Sequence, residues 1–273
     1  MIIKALMENR GKSDEYLTEH GLSLYIETDT RKLLFDTGET DKFLSNAEKL
    51  DVDLADVDIV IISHGHYDHA GGIASFLEKN DKARIYMQRE AFIPHASDKD
   101  GDIEDAGVEP SLENQDRITL VDEDIFFDDD LILFSRINGD YLVPEGNSHL
   151  LMKKGEEWQA DDFHHEQNLI IKDGKKRVLF TGCSHRGIAN ILRQAAENSD
   201  LPITHVIGGF HLYDLKLDDQ SDLEFLTKVA DELDKSGAIL YTAHCTGYDQ
   251  FKWLKGKLGH KIDYVSAGTV LEL

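Results

Sequence analysis

The sequence predicts an α/β protein whose helices cover the faces of β-sheets. Short runs rich in Val, Ile, Leu, Tyr and Phe recur along the chain, and several of them are separated by segments with helical periodicity. Strands that alternate with helices are typical of α/β architectures. No Pro- or Ser-rich linker divides the 273 residues, only four of which are proline, so the sequence favours one domain over residues 1–273.

Nine apolar runs are predicted to be buried strands, because each is short, β-rich and closed by Gly, Asp or His. In chain order they cover residues 22–28, 32–38, 58–64, 83–88, 131–137, 168–173, 176–182, 204–210 and 238–244. Five other segments carry apolar residues three or four positions apart, which predicts amphipathic helices. These helices cover residues 40–50, 71–80, 187–198, 222–237 and 248–259.

The segment from about residue 90 to residue 130 departs from this pattern. It is acidic, contains glycine and shows little periodicity. Long irregular segments in compact domains are usually functional or mobile, which favours an insertion or lid. A solvated acidic loop is an alternative of equal weight.

The charge balance argues against a nucleic-acid partner. The chain has 53 Asp and Glu against 29 Lys and Arg, a formal net charge of -24, whereas nucleic-acid binders usually carry a basic stripe. No apolar run approaches the roughly 20 residues that span a bilayer, and the N-terminal stretch is too short for a signal peptide. We therefore expect a cytoplasmic protein with no nucleic-acid partner and no membrane partner. Its two cysteines, Cys183 and Cys245, provide no disulfide framework.

The stretch HGHYDH, residues 64–69, directly follows a predicted strand and precedes a predicted helix, so it lies in a loop at one edge of a sheet. In extended backbone the side chains of His64 and His66 project the same way and can share one metal ion. Asp68 and His69 come after the chain turns and can bind a second ion, about 3.5 to 4 Å away in two-metal hydrolases. The stretch therefore predicts a centre for one or two zinc ions, with manganese or iron as alternatives.

HGHYDH matches the His-x-His-x-Asp-His signature of the metallo-β-lactamase superfamily, which the chain resembles. The stretch LLFDTG, residues 33–38, resembles the first motif of that superfamily. Other stretches resemble one branch, the metal-dependent hydrolases related to the archaeal dihydropterin phosphate synthase of methanopterin biosynthesis. They are VPEGN (143–147), DDFHHEQNLII (161–171), VLFTGCSHRGIANIL (178–192), VIGGFHL (206–212) and YTAHCTG (241–247). The resemblance implies a metallo-β-lactamase-type αβ/βα sandwich of two mixed β-sheets flanked by helices.

The resemblance also implies the ligands of two metal ions. His64, His66 and His185 would bind the first ion, and Asp68, His69 and His244 the second. Asp36 would orient the metal loop as a carboxylate that contacts the ligands. Where many members of the superfamily have a bridging aspartate, this chain has Cys183. Cys183 either binds zinc through its thiolate or packs as a small buried residue that binds no metal, and the two interpretations have equal weight. The occupancy of both metal positions therefore stays open.

Two further residues are assigned from their positions. His211 follows a predicted strand and is a candidate proton donor to a leaving group, with a structural histidine as the alternative. Cys245 adjoins His244, but neighbouring side chains tend to point apart, so we expect a structural role. The remaining histidines lie in no matching motif and are interpreted as surface or structural residues. They are His20, His95, His149, His164, His165, His205 and His260.

The resemblance implies a metal-dependent hydrolase of the metallo-β-lactamase superfamily. A metal-activated hydroxide, oriented by Asp68, would attack a small ester, lactone or phosphorylated substrate, including a dihydropterin phosphate synthase-like reaction. The helix starts that follow GCSHRG and HCTGYD offer backbone N–H groups to a phosphate. Two alternatives are an iron-dependent redox enzyme of the sulfur dioxygenase type and a non-catalytic metal or ligand sensor.

Overall fold

The computed structural model describes all 273 residues and contains 18 strands and six α-helices. The first nine strands are β1 Ile2–Met7, β2 Ser23–Glu27, β3 Lys32–Phe35, β4 Ile59–Ile61, β5 Arg84–Gln88, β6 His95–Lys99, β7 Asp102–Asp105, β8 Ile118–Val121 and β9 Ile125–Phe126. The other nine are β10 Leu131–Ser135, β11 Leu150–Lys154, β12 Glu157–Ala160, β13 Gln167–Asp173, β14 Lys176–Phe180, β15 His205–Gly208, β16 Ile239–Thr242, β17 Ile262–Tyr264 and β18 Val270–Glu272. The helices are α1 Lys42–Lys49, α2 Tyr67–Ala70, α3 Ile73–Lys79, α4 Ile188–Asn198, α5 Gln220–Ser236 and α6 Tyr248–Leu258.

All nine predicted strands and all five predicted helices are present, at bounds that differ by a few residues. Several strands end earlier than predicted. For example, β3 stops at Phe35 because Asp36 has a φ of +62°, a left-handed conformation that no strand continues. None of the helices is both long enough and apolar enough to cross a membrane.

The chain divides into two compact units. The first unit consists of Met1–Asp122, His149–Gln167 and Val265–Leu273, and the second consists of Glu123–Ser148 and Asn168–Tyr264. Each unit is therefore assembled from segments that are separated in the sequence.

The first unit is built on a seven-stranded mixed sheet with the strand order β18-β1-β2-β3-β4-β5-β8. Strands β3, β4, β5 and β8 run parallel to one another, whereas β18, β1, β2 and β3 pair in antiparallel fashion. Helices α1 and α3 bury Phe43 and Phe76 in the core of this unit, together with Leu34 and Ile85 from the sheet. The parallel strands bring the carboxyl ends of β3 and β4 to the same edge.

The segment from residue 90 to residue 130 is not irregular, which corrects the expectation from its composition. Strands β6 and β7 form an antiparallel hairpin within it, and β8 joins the large sheet. The hairpin belongs to an antiparallel sheet of four strands in the order β12-β11-β6-β7. Every residue of β7 is exposed, so backbone pairing rather than apolar burial forms this strand.

The second unit is built on another seven-stranded mixed sheet, in the order β17-β16-β15-β14-β13-β10-β9. Strands β14 to β17 run parallel, and β13 pairs with β14 in antiparallel fashion. Helices α4, α5 and α6 bury apolar side chains against Phe134 and Phe210. The loops after β14, β15 and β16 consequently leave the sheet at one edge.

Candidate metal centre

The HGHYDH loop of the first unit begins three residues after β4 ends and runs into the short helix α2. His66 occupies the position before α2 in an extended conformation, with φ of -102° and ψ of 146°. Asp68 and His69 lie within the single turn of α2, whereas the sequence predicts them in a loop. The side chains of His64, His66, Asp68 and His69 are all buried.

Asp36 contacts this loop from the end of the neighbouring strand β3. Its buried carboxylate accepts the backbone N–H of Ser63 at 2.7 Å and the hydroxyl of Ser63 at 2.8 Å. The same carboxylate accepts a hydrogen bond from Nδ1 of His69 at 2.7 Å. Because the Ser63 hydroxyl donates to Asp36, its oxygen accepts from Nδ1 of His64, which lies 2.9 Å away. The lone pair of both histidines is therefore on Nε2.

The imidazole rings of the loop lie close together. The ring centroid of His64 is 4.6 Å from that of His66 and 4.2 Å from that of His69. Burial and the charge of His165 lower the pKa of His66 well below its ordinary value, so His66 is neutral, as a metal ligand must be. Burial lowers the pKa of His69, but the charges of Asp68 and Asp36 outweigh this and raise it, so metal would compete with a proton there. Imidazole and carboxylate are the donors that zinc binds in catalytic sites, so this set fits such an ion.

The structure places a histidine beside Asp68 that the sequence did not connect with the loop. Nε2 of His20 lies 3.4 Å from Oδ2 of Asp68, and Nδ1 of His20 lies 3.2 Å from the side-chain amide of Asn9. Asp68 also lies 3.5 Å from Nε2 of His69. His20 is far from HGHYDH in the sequence and in no motif, so no local signal identifies it.

A second buried group of the first unit adjoins His66. One donor atom from each of His66, His95, Asp161 and His165 lies within 4.8 Å of the others. Burial raises the pKa of Asp161, but His165 and His95 outweigh it by charge and hydrogen bonding and hold it well below its usual range. Of the histidines interpreted as surface or structural, His95 and His165 are thus buried in a polar network. The others are exposed or half-buried: His20, His149, His164, His205 and His260.

In the second unit, three predicted site residues follow the parallel strands β14, β15 and β16. They are His185, His211 and His244, and all three are buried. The loops that carry them each contain a residue with left-handed backbone: Ser184 at φ of +59°, His211 at +48° and His244 at +51°. Non-glycine residues in this region are strained, and such residues cluster at functional sites.

Asn147, from the stretch VPEGN, holds His185 in one orientation. The amide nitrogen of Asn147 donates to the backbone carbonyl of His185 at 2.7 Å, and its oxygen lies 2.9 Å from Nδ1 of His185. Since that oxygen accepts, Nδ1 of His185 carries the proton and Nε2 carries the lone pair. The ring of His211 lies 4.3 Å from that of His185, between centroids.

The two cysteines also lie close together in the second unit. One donor atom from each of Cys183, His211 and Cys245 lies within 4.8 Å of the others. The thiol of Cys245 lies 3.6 Å from the carbonyl oxygen of Cys183, and its sulfur accepts the backbone N–H of His211 at 3.3 Å. The structural role of Cys245 stays a prediction, since its sulfur makes these contacts and also belongs to that group of possible donors.

Comparisons with known proteins agree with these observations. Residues 18–233 match the metallo-β-lactamase superfamily. The solved structure of Tm1679, described as a metal-dependent hydrolase of the β-lactamase superfamily, is 31% identical with a TM-score of 0.84, over 100% of this chain and 99% of that chain. This likeness confirms the fold class that the sequence predicts.

Two proteins of Methanocaldococcus jannaschii are also similar over most of their length. An uncharacterized protein is 28% identical over 250 residues, which cover 90% of this chain and 91% of that protein. The 7,8-dihydropterin-6-methyl-4-(β-D-ribofuranosyl)-aminobenzene-5'-phosphate synthase is 26% identical over 288 residues, which cover 96% of this chain and 92% of the synthase. With its signature stretch, its two mixed sheets and a family match over most of its length, the chain belongs to the metallo-β-lactamase superfamily.

Proposed function

We propose that the chain is a metal-dependent hydrolase that acts on a small ester, lactone or phosphorylated substrate. The observation that carries the proposal is shared by His64, His69 and His185. Nδ1 of each makes a hydrogen bond, at 2.9 Å to Ser63, 2.7 Å to Asp36 and 2.9 Å to Asn147, respectively. Metal-binding histidines are typically fixed in this way through the nitrogen that does not bind the ion.

Six side chains would hold the metal in this proposal. They are His64, His66, Asp68, His69, His185 and His244. When bound, a zinc-like ion brings the pKa of a water molecule to about 7 and stabilises negative charge on the reacting group. Cys183 is the remaining candidate ligand, and iron or manganese are the alternative metals.

The protein's own residues would orient the substrate and move protons. Asp68 is the proposed proton acceptor, and Nε2 of His20, 3.4 Å from its carboxylate, is placed to share that proton. Asp36 keeps His69 in the required orientation through its 2.7 Å hydrogen bond. His211, whose ring packs against His185, is the proposed proton donor to the leaving group.

A phosphorylated substrate is the class that we favour. The similar synthase from Methanocaldococcus jannaschii is named for a product that carries a 5'-phosphate. Helices α4 and α6 each begin after a glycine, Gly187 and Gly247, and neither helix has a side chain that caps its first turn. The backbone N–H groups of a first turn bind phosphate readily when no side chain occupies them.

Elemental analysis after anaerobic, chelator-free purification tests the proposal. We expect one or two zinc or manganese ions per chain, and loss of metal in the variant His66→Ala. His260→Ala, at an exposed position, is the matched control and should keep the metal. Bound iron would favour the redox alternative, and a wild-type protein that cannot be loaded with any metal would contradict the proposal.

Hydrolysis assays on the metal-loaded protein separate an enzyme from a sensor. We expect phosphate monoesters, cyclic phosphodiesters, carboxylate esters or lactones to be cleaved, and Asp68→Asn to abolish cleavage. A protein that binds metal fully but cleaves no member of such a panel would support the sensor instead.

A further inference from the structure

A buried network lies beside the HGHYDH loop and is formed by residues that are distant in the sequence. His95 begins β6, Asp161 directly follows β12, and His165 lies two residues before β13. The side chains of all three are 2% exposed or less. A carboxylate buried this deeply needs hydrogen-bond donors around it.

The hydrogen bonds of Asp161 determine which nitrogen of His165 carries the proton. Oδ1 of Asp161 accepts the backbone N–H of Phe163 at 2.7 Å. Oδ2 lies 2.9 Å from Nδ1 of His95 and 3.2 Å from Nε2 of His165. Because a carboxylate only accepts, Nε2 of His165 donates, which leaves a lone pair on its Nδ1. That lone pair accepts the backbone N–H of Gly65 at 2.8 Å.

Gly65 is the residue between His64 and His66. The backbone of Ala91 passes so close to it that a Cβ at position 65 would lie 2.7 Å from the Cα and the oxygen of Ala91. The loop is therefore confined by the Ala91 backbone and tied by a hydrogen bond to His165. A shift of Gly65 would change the spacing of the two imidazoles that flank it.

The same segment holds the residues just before the loop. The backbone N–H of Gln167 donates to the carbonyl of Ser63 at 2.8 Å, and the side-chain amide of Gln167 donates to the carbonyl of Ile62 at 2.7 Å. Gln167 thus contacts Ile62 and Ser63, just before the loop, and His165 contacts Gly65 within it. These hydrogen bonds fix the position of the HGHYDH loop.

We propose that His165, oriented by Asp161, is a positioning residue that sets the spacing of His64 and His66 through its hydrogen bond to Gly65. The inference rests on the proposed function, since it assumes that the two flanking histidines bind metal. His165 itself touches no reacting group in this role. Residues that orient metal ligands in this way typically contribute about 10- to 100-fold to metal affinity.

Direct metal binding by the network itself is the competing interpretation, because four donors converge there. Both oxygens of Asp161 and both nitrogens of His165 already make hydrogen bonds. Nδ1 of His95 likewise makes a hydrogen bond, as the donor to Asp161 at 2.9 Å. A metal ion would have to break these bonds, so the network is better explained as a support.

Zinc affinity, measured by competition with a chromogenic chelator, tests the proposal. We expect His165→Ala to bind zinc about 10- to 100-fold more weakly than wild type, with the same number of ions at saturation. His165→Asn places an amide oxygen near the position of Nδ1 and should recover most of the affinity. His164→Ala, the exposed neighbour, is the matched control and should bind as wild type does. Circular dichroism of each variant verifies that it is folded.

The tautomer of His165 gives an independent readout on the metal-free protein. Long-range ¹H–¹⁵N correlation spectra should show the proton of His165 on Nε2 in the wild type. In Asp161→Asn the amide nitrogen can donate to Nε2 of His165, so the proton of His165 should move to Nδ1. There it would point at the N–H of Gly65 and prevent the hydrogen bond to the loop. Zinc affinity should therefore fall as it does in His165→Ala.

Three results would overturn the proposal: unchanged affinity in folded His165→Ala, equal losses in the Ala and Asn variants, or one fewer ion at saturation in His165→Ala. The last result would make the network itself a metal site. A wild-type protein with the predicted tautomer but no zinc affinity would instead contradict the proposed function, so the two failures are distinguishable.

Discussion

At the scale of single residues, the candidate site depends on side chains that fix other side chains. The resemblance to the superfamily pointed to Asp36, and the structure gives that carboxylate contacts with Ser63 and His69. Asn147 lies in the quoted stretch VPEGN, yet nothing in that stretch shows that it contacts His185. A contact between residues far apart in the sequence follows from the fold alone, which is why Asn147 and His165 were not predicted.

Replacement of Asp36 tests the orienting role at this scale. We expect Asp36→Asn to weaken zinc binding by about 10- to 100-fold, because the amide nitrogen would face donors on Ser63 and His69. Chelator competition measures the change. Asp58 directly precedes β4, at the end away from the HGHYDH loop. Asp58→Asn is therefore the control and should leave zinc affinity unchanged. An Asp36→Asn protein that binds as tightly as wild type would show that this carboxylate does not support the metal.

Asp161 gives the stability of the protein a specific pH dependence. Its folded-state pKa lies below the ordinary value of about 3.9, because His165 and His95 offset the effect of burial. The carboxylate therefore contributes stability above about pH 4, and this contribution is lost as the pH falls further.

We expect Asp161→Asn to lower the free energy of unfolding by about 1 to 3 kcal/mol at pH 7, as for other disrupted buried hydrogen bonds. The difference from wild type should shrink when urea unfolding is repeated at pH values below 4. A difference that is constant from pH 7 to pH 3 would mean that the ionised carboxylate is not the stabilising species.

At the scale of elements, the structure differs from the sequence prediction mainly at element ends and in polar strands. Helix α5 was predicted to begin at Asp222 but begins at Gln220. The reason is Asp219, whose side chain accepts the N–H groups of Ser221 and Asp222 and so caps the helix two residues earlier. Apolar periodicity does not detect such a cap, because the capping residue is polar.

The sequence of the β6–β7 hairpin contains an indicator of a turn that apolar periodicity does not detect. Asp100 and Gly101 connect the two strands with positive φ values of +57° and +97°. An Asp-Gly pair between two strands is a strong hairpin indicator for this reason. The strand itself was not predicted because the residues of β7 are acidic or exposed and show no apolar alternation.

The two ends of α5 provide a test at this scale. We expect Asp219→Ala to lower the free energy of unfolding by about 1 kcal/mol, because two backbone N–H groups lose their acceptor. Gly237→Ala should cost about 1 to 2 kcal/mol, since Gly237 ends the helix at a φ of +70°. Urea titration measures both. Asp231→Ala, at an exposed position within the helix, is the control and should be neutral or slightly stabilising.

At the scale of the whole molecule, the fold class followed from strand and helix alternation together with the signature stretch, whereas the strand order did not. Strand β1 was interpreted only as an apolar N-terminal stretch, and β18 was not predicted at all. Strand β18 has three residues, none of them buried, and its pairing with β1 joins the two ends of the chain. The division of the chain into two units is a further property that local patterns do not contain.

The net charge of -24 should make the thermal stability dependent on salt. Excess like charge destabilises a compact state, and salt screens it over about 10 Å at 0.1 M. We expect the melting temperature to rise by several degrees between 10 mM and 500 mM sodium chloride. Sucrose at matched osmolality is the control for non-ionic effects, and a flat or falling salt response would contradict the expectation.

The prediction of one domain can be tested because each unit contains one of the two tryptophans, Trp158 in β12 and Trp253 in α6. The variant Trp253→Phe reports on the first unit by fluorescence, and Trp158→Phe reports on the second. We expect the two variants to unfold at the same urea concentration, and circular dichroism of each to agree with its fluorescence. Separate midpoints would show two domains.

The pairing of β1 with β18 has a consequence for how the protein reaches its folded state. Ile2 pairs with Glu272, so this edge of the large sheet forms only by closing a loop of nearly the whole chain. Loops of that length close slowly, and until then the free edge of β1 can template strands of other molecules. Aggregation of partly folded chains, rather than instability of the native state, is therefore the hazard that this topology carries.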